Sequence, residues 1–262
     1  MKPDIILTFD LEELVYISRT KNKKKIENIN TTYSVNGCNK ILNLLNKYKI
    51  KSTFFTTGYF ANLHQDLIAN ISNQGHEIAC HSYFDKSHKK LTVTQIRGDI
   101  QKSKTLLEKI TNKKVIGFRM PQFSIFKDYE KILQKLKFSY DSSIHPAIVP
   151  GYYYNINKKI YPYKKNKLTI IPISVIPVIR MPISWIWCRN LGFWLINIVK
   201  NINKRKNRPL VIYFHTWEFT NIKIKEIGYL IKRNTGNKFL QRLDNFIRKN
   251  NKNNFKLMKD II

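Results

Sequence analysis

Strand-like and helix-like segments alternate along the chain, and that rhythm restricts the possible folds more than any other feature. Short apolar, β-rich runs fall at residues 5–9, 52–57, 77–80, 115–118, 138–140, 168–173 and 210–214. Between them, apolar residues recur at helical spacing. Cys38, Ile41, Leu42, Leu45 and Tyr48 mark one helix, and Ile96, Ile100, Leu107 and Ile110 mark another over 94–110. Further helices are expected over 61–72, ending before a capping Gly75, and over 129–136 and 184–203. A last helix is expected over 225–248, broken near 234–236, and then a terminal strand over 255–258. Strands alternating with helices pair in parallel, which gives an α/β barrel or a doubly wound sheet. No internal repeat or low-complexity linker divides the chain, so residues 1–262 read as one domain.

Composition narrows the function classes. Hydrophobic residues make up 43% and aromatics 13%, enough to bury a core and to exclude a disordered chain. No apolar stretch is long enough to predict a membrane span. The chain enters its first strand at Asp4 with no basic-then-apolar leader pattern before it. Its three cysteines, Cys38, Cys80 and Cys188, form no Cys-x-x-Cys pair. A reducing cytoplasm is therefore the expected compartment.

The formal charge is +30, from 47 basic and 17 acidic residues. Such a balance suits nucleic acid or an anionic membrane. Lys far outnumbers Arg, however, and Lys, Asn and Ile rise together as A/T-rich codons would make them. The basic runs at 21–25, 200–208 and 249–256 fall at predicted helix ends and loops. Surface solvation is the expected role, and nucleic acid is not the expected partner. Peripheral contact with an anionic membrane, or with a phosphate-bearing lipid carrier, is what such a field would serve.

Reactive side chains sit where the strands end. Asp10 follows the first strand, His81 follows the third, Arg119 closes the fourth, Asp141 closes the fifth, and His215 ends the run at 210–214. In a parallel barrel those ends converge on one face, where active sites form. Taken alone, Asp10, Glu12 and Glu13 read as a helix N-terminal charge set. His81 and Asp85 are four apart, so a helix would put them on one face, close enough to share a metal ion. Arg119 is placed to pin a carboxylate, and His215 to donate a proton near neutral pH. His64 reads as a surface residue, His145 as structural and Cys80 as buried. The aromatic segment at 183–199 reads as a barrel helix. Arg189 and Asn190 interrupt it as a span, and the basic run behind it would suit a membrane interface.

In order and content these motifs resemble the polysaccharide deacetylase family, the NodB-type carbohydrate de-N-acetylases, in the branch with an Asp-x-Glu first motif. Thr8-Phe9-Asp10-Leu11-Glu12-Glu13 is similar to the first motif and Gly75-His76-Glu77-Ile78-Ala79-Cys80-His81-Ser82-Tyr83 to the second. The segment 117–123 resembles the third, Tyr140-Asp141-Ser142-Ser143-Ile144 the fourth, and 210–218 the fifth. The likeness runs from about residue 4 to about residue 220, with a C-terminal helix and tail at 221–262.

The resemblance implies a distorted (β/α) barrel of about seven strands with its active site at their carboxyl ends. It implies Asp10 as general base, oriented by Arg119, and His215 as general acid, held in position by Asp141. It also implies Glu12, His81 and the residue at position 85 as ligands of one divalent metal ion, zinc first among the candidates. The family carries a second His at that position, and this chain has Asp85. Two carboxylates and one imidazole make a harder, more anionic set, open to other divalent ions. The expected activity is removal of an N-acetyl group from an amino sugar of a polysaccharide or lipid-linked glycan, at the inner membrane face. The alternatives are a deformylase of a lipid-linked amino sugar, or an inactive glycan-binding or scaffold member.

Overall fold

The computed structural model describes residues 4–19, 25–86, 88, 91–150 and 153–262. The basic run at 21–25 lies outside these residues except for Lys25.

In chain order the elements begin with β1 (Asp4–Leu11) and an antiparallel hairpin, β2 (Leu14–Arg19) and β3 (Lys25–Asn30). Then come α1 (Thr32–Lys47), β4 (Thr53–Thr56), α2 (Gly58–Leu63), α3 (Gln65–Asn73) and β5 (Glu77–Cys80). The middle of the chain forms α4 (Val93–Thr111), β6 (Gly117–Phe118), α5 (Tyr129–Lys135) and β7 (Tyr140–Asp141). Short strands follow: β8 (Ile148–Val149), β9 (Tyr153–Tyr154), β10 (Tyr163–Lys165), β11 (Leu168–Ile170), β12 (Val175–Ile176) and β13 (Met181–Pro182). The chain ends with α6 (Trp185–Leu191), α7 (Trp194–Arg205), β14 (Leu210–His215), α8 (Tyr229–Lys232), α9 (Asn237–Asn250) and β15 (Asn254–Phe255).

The main sheet runs β10-β11-β7-β6-β5-β4-β1-β14, and every pair from β11 to β14 is parallel. Those seven parallel strands match the number anticipated for a distorted barrel. An antiparallel β10 extends one side, and β15 pairs with the start of β1. Central parallel strands are covered on both faces, so they read as unbroken apolar runs rather than alternating ones. β1 is buried from Ile5 to Leu11, and β14 from Leu210 to Phe214. The helices supply the covering layer through stripes such as Ile41, Leu42 and Leu45 of α1 and Ile96, Ile100 and Leu107 of α4. A capping box between Thr92 and Gln95 starts α4.

Gly37 in α1 makes one close approach that positions the site. A Cβ there would stand 1.9 Å from the Thr216 carbonyl oxygen, so only glycine lets α1 press against the turn that follows β14.

Several boundaries differ from expectation for local reasons. The helix expected at 61–72 starts earlier, because Thr57 caps it by accepting from the Phe60 N–H, and it breaks at His64. The 184–203 helix breaks at Gly192, where φ is +117°. The last helix breaks at Gly236, as its sequence suggested. The terminal strand shrinks to Asn254–Phe255 before a 3-10 turn. That turn caps the far end of the sheet: Met258 N–H donates to Thr53 Oγ1, and Lys259 N–H to Glu77 Oε2.

Candidate active site

β1 ends at Leu11 and the hairpin begins at Leu14, so Glu12 and Glu13 occupy the bend between them. Ser34 Oγ on α1 donates to the Glu12 carbonyl at 2.5 Å and holds that bend inward. Asp10, Glu12 and Glu13 are all buried. Their burial at a strand end, with no helix starting there, removes the helix-cap reading.

Asp10 is paired with Arg119, which follows β6. Nη1 donates to Asp10 Oδ1 at 2.5 Å, while Nη2 donates to Thr8 Oγ1 at 3.0 Å and to Ser142 Oγ at 3.2 Å. The guanidinium lies 3.9 Å from the Phe55 ring centre and is fully buried. A planar fork held on several sides fixes the carboxylate it grips. Asp10 Oδ2 is left without a protein partner among the described residues, and Asp10 lines a cavity of about 410 Å³.

Glu12, His81 and Asp85 meet in the same cavity, each with one potential ligand atom within 4.8 Å of the others. His81 Nδ1 lies 2.8 Å from the Arg119 carbonyl oxygen. A carbonyl only accepts, so Nδ1 carries a proton and Nε2 is the atom turned toward Glu12 Oε2, 3.3 Å away. Burial pulls the His81 imidazole down, but Glu12, Asp10 and Asp85 outweigh it and hold it at about 8. Burial, with Glu12 close by, pushes the Asp85 carboxyl well above the usual carboxylate range. Two oxygen donors and one nitrogen donor converging at this range are the donor set that divalent ions take.

The reason Asp85 reaches His81 is not the one its spacing suggested. The segment is not helical: Ser82 has φ +57°, Tyr83 N–H donates to Asp99 Oδ2, and Asp85 N–H donates to Glu13 Oε1 at 3.0 Å. Glu13 also accepts from Thr57 Oγ1, and burial raises its carboxyl. A loop folded onto a buried glutamate therefore does what a helical turn was expected to do. His88 stays out of the group, with Nδ1 2.9 Å from Met120 Sδ and Nε2 3.7 Å from Asp99.

His215 ends β14, beside Asp10 in the parallel register with β1. Its ring stacks on Trp217 with centroids 4.8 Å apart and meets the edge of Trp185 at 5.5 Å. Nε2 is 3.6 Å from Glu12 Oε1. Nδ1 is 3.2 Å from Glu218 Oε1, which also accepts the His215 backbone N–H at 2.9 Å. Burial lowers this imidazole, but Glu12, Glu218 and Asp10 raise it to about 9.

Asp141 needs correction. It was expected to hold His215, but its carboxylate is turned into the protein, where Tyr129 Oη donates to Oδ2 at 2.8 Å and Ser143 donates to Oδ1 from both its N–H and its hydroxyl. Glu218 occupies the place assigned to Asp141. Glu218 stands three residues from His215, and an acid at that spacing after a strand-terminal histidine was the available signal. His145 is buried, with Nδ1 2.6 Å from Tyr153 Oη, and burial holds it near 3. Cys80 is buried, and burial raises its thiol to about 12. Trp185, Trp217, Tyr213, Tyr153 and Phe123 form apolar walls of the cavity, which sequence patterning had given to a barrel helix or to no role.

A family model described as polysaccharide deacetylase matches residues 2–140. The peptidoglycan-N-acetylmuramic acid deacetylase PdaA of Bacillus subtilis is 29% identical over 114 residues, covering 44% of this chain and 43% of that protein. The chain spans less than half the length of each of the first curated relatives it matches. A Mycobacterium smegmatis protein described as a polysaccharide deacetylase superposes with a TM-score of 0.69 at 17% identity, covering 99% of this chain and 89% of that one. A CE4 family pseudoenzyme from Bacillus anthracis superposes at 0.56 and 16% identity, covering 99% of this chain and 65% of that one. A mutant of that pseudoenzyme carries restored enzymatic activity. At these identities the superpositions establish the curled parallel α/β sheet.

Proposed function

The chain belongs to the polysaccharide deacetylase family, and we propose on that premise that it is a metal-dependent hydrolase removing an N-acetyl group from an amino sugar of a polysaccharide or lipid-linked glycan. The observation that carries this reading is one cavity lined by an Arg119-held carboxylate, a Glu218-held histidine and a three-residue ligand set between them. An amide carbonyl is a weak electrophile and an amine a poor leaving group. Hydrolysis therefore needs an activated water and a proton for nitrogen. Glu12, His81 and Asp85 would hold a divalent ion, zinc being the first candidate, which supplies Lewis acidity to the substrate carbonyl. Asp10 takes the proton of the attacking water, whose oxygen bonds to the carbonyl carbon. Arg119 keeps Asp10 aimed. As the C–N bond breaks, His215 passes a proton to nitrogen, so acetate and a free amino sugar leave. The aromatic walls give the sugar faces and the acetyl methyl an apolar surface.

An exposed apolar patch beside the cavity supports a lipid-linked substrate at a bilayer, and the formal charge of +30 suits an anionic one. Leu191, Trp194, Tyr229 and Leu230 are exposed on α6–α8, where Asn190 Nδ2 donates to the Leu230 carbonyl. Trp185 and Ile231 of the same helices line the cavity. Three buried, unpaired thiols suit a reducing compartment, so this reading places the protein at the cytoplasmic membrane face.

Acetate release from N-acetylated oligosaccharides, with divalent metal supplied and His215→Ala alongside, tests the activity. Acetate from the wild type alone supports it, and formate released from an N-formyl amino sugar selects the deformylase instead. Asp85 in place of the family's histidine favours one further reading, an inactive glycan-binding member. No acetate from the wild type, with activity gained by Asp85→His, would establish that reading.

A further inference from the structure

Arg189 is a fully buried guanidinium on an apolar helix, one turn after Trp185 and on the same face of α6. A buried cation is tolerable only when its donors are used. Nη1 pairs with Glu218 Oε2, Nε donates to the Arg233 carbonyl at 3.0 Å, and Nη2 donates to the carbonyls of Leu230 and Ile231. Glu218 is equally buried and divides its carboxylate, with Oε2 on Arg189 and Oε1 on His215. α8 has no buried residue of its own, yet its Ile231 lines the cavity, so the Arg189 bonds to its carbonyls anchor that wall.

We propose that Arg189 is a positioning residue that acts in two directions, fixing the Glu218 carboxylate that aims His215 and holding the α8 wall of the substrate cavity at a set distance from that histidine. Glu218 is the intermediate positioning residue. The inference rests on the hydrolase reading for its kinetic consequences, while its structural consequence can be measured without turnover.

The full-length chain, labelled with ¹⁵N-histidine, reports the Nδ1 proton of His215 as a downfield resonance when that proton is held by Glu218. The wild type shows it, and both Glu218→Gln and Arg189→Met lose it. In both variants kcat falls about 10²–10⁴-fold, as when a histidine loses its orienting carboxylate. KM stays within about twofold in Glu218→Gln, and rises several-fold in Arg189→Met because the bonds to the α8 carbonyls go as well. Arg189→Lys keeps the charge but not the fork. It restores the resonance and most of kcat, while KM rises several-fold because α8 is released. A resonance unchanged in Glu218→Gln and Arg189→Met, or absent from the wild type, overturns the proposal. So does Arg189→Lys behaving like Arg189→Met in both readouts. Failure of the hydrolase reading appears differently, as an inactive wild type in which the resonance is present and responds to the variants as described.

Discussion

Asp141→Asn separates two accounts of one residue, and its effect can be worked from the surroundings of that carboxyl. Asp141 is completely buried, and burial, opposed by bonds from Ser143 and Tyr129, raises it from an ordinary 3.8 to about 7. A group whose folded value lies above its unfolded value stabilises the fold fully below the unfolded value. That stability is lost as pH rises through the folded value. The window here runs from about pH 4 to about pH 7, and at about 1.4 kcal/mol per unit the whole loss is about 4 kcal/mol. Asparagine carries no charge and keeps an acceptor for Ser143. The stability difference between Asp141→Asn and wild type should therefore shift by about 3 kcal/mol in favour of the variant between pH 4.5 and pH 7.5. Urea unfolding at those two pH values measures it, with the other titrating groups cancelling between the proteins. Because Asp141 does not touch His215, kcat should change less than about threefold, far below the loss that follows removal of an orienting carboxylate. A difference that does not vary with pH, or a hundredfold fall in kcat, would refute the reasoning.

Other outcomes follow from the same geometry. Arg119→Met strands the buried Asp10 carboxylate and should destabilise the fold by about 3–5 kcal/mol, read as a fall in urea midpoint, as well as abolishing acetate release. Gly37→Ala should cost about 1–3 kcal/mol by pushing α1 off the Thr216 turn, measured by thermal unfolding. Glu13→Leu removes the acceptor that holds the loop carrying Asp85, so titration calorimetry with zinc should show about 10–100-fold weaker binding. Trp194→Asp with Leu230→Asp should abolish flotation with anionic vesicles while leaving release from a soluble oligosaccharide intact.

The central strands were legible because burial on both faces leaves an unmistakable apolar run, as in residues 5–9 and 210–214. Shorter elements were not. β6 and β7 are two residues each, and their parallel partners define them more than their own side chains do. The β2–β3 hairpin exposes Ile17, Ile26 and Ile29 and intersperses them with Asn and charged residues, so neither period dominates. His64 and Gly192 broke helices whose apolar pattern ran through them, since the break lies in backbone angles that periodicity does not encode. At the site, Asp10, Glu12, His81, Arg119 and His215 were found from strand ends and motif order. Asp85 lies close to His81 as expected, but a loop brings it there and not the helical turn its spacing suggested. Glu13, Glu218 and Arg189 went without roles because each acts through a partner more than 25 residues away or through a carboxylate shared between two groups.

The account depends on one cation being held between Glu12, His81 and Asp85, next to Asp10 and His215. Anomalous diffraction at the zinc edge from crystals grown with one equivalent of zinc tests this most directly. The account predicts a single strong peak bonded to Glu12, His81 Nε2 and Asp85. A peak at other residues, or none at saturating zinc, would contradict it.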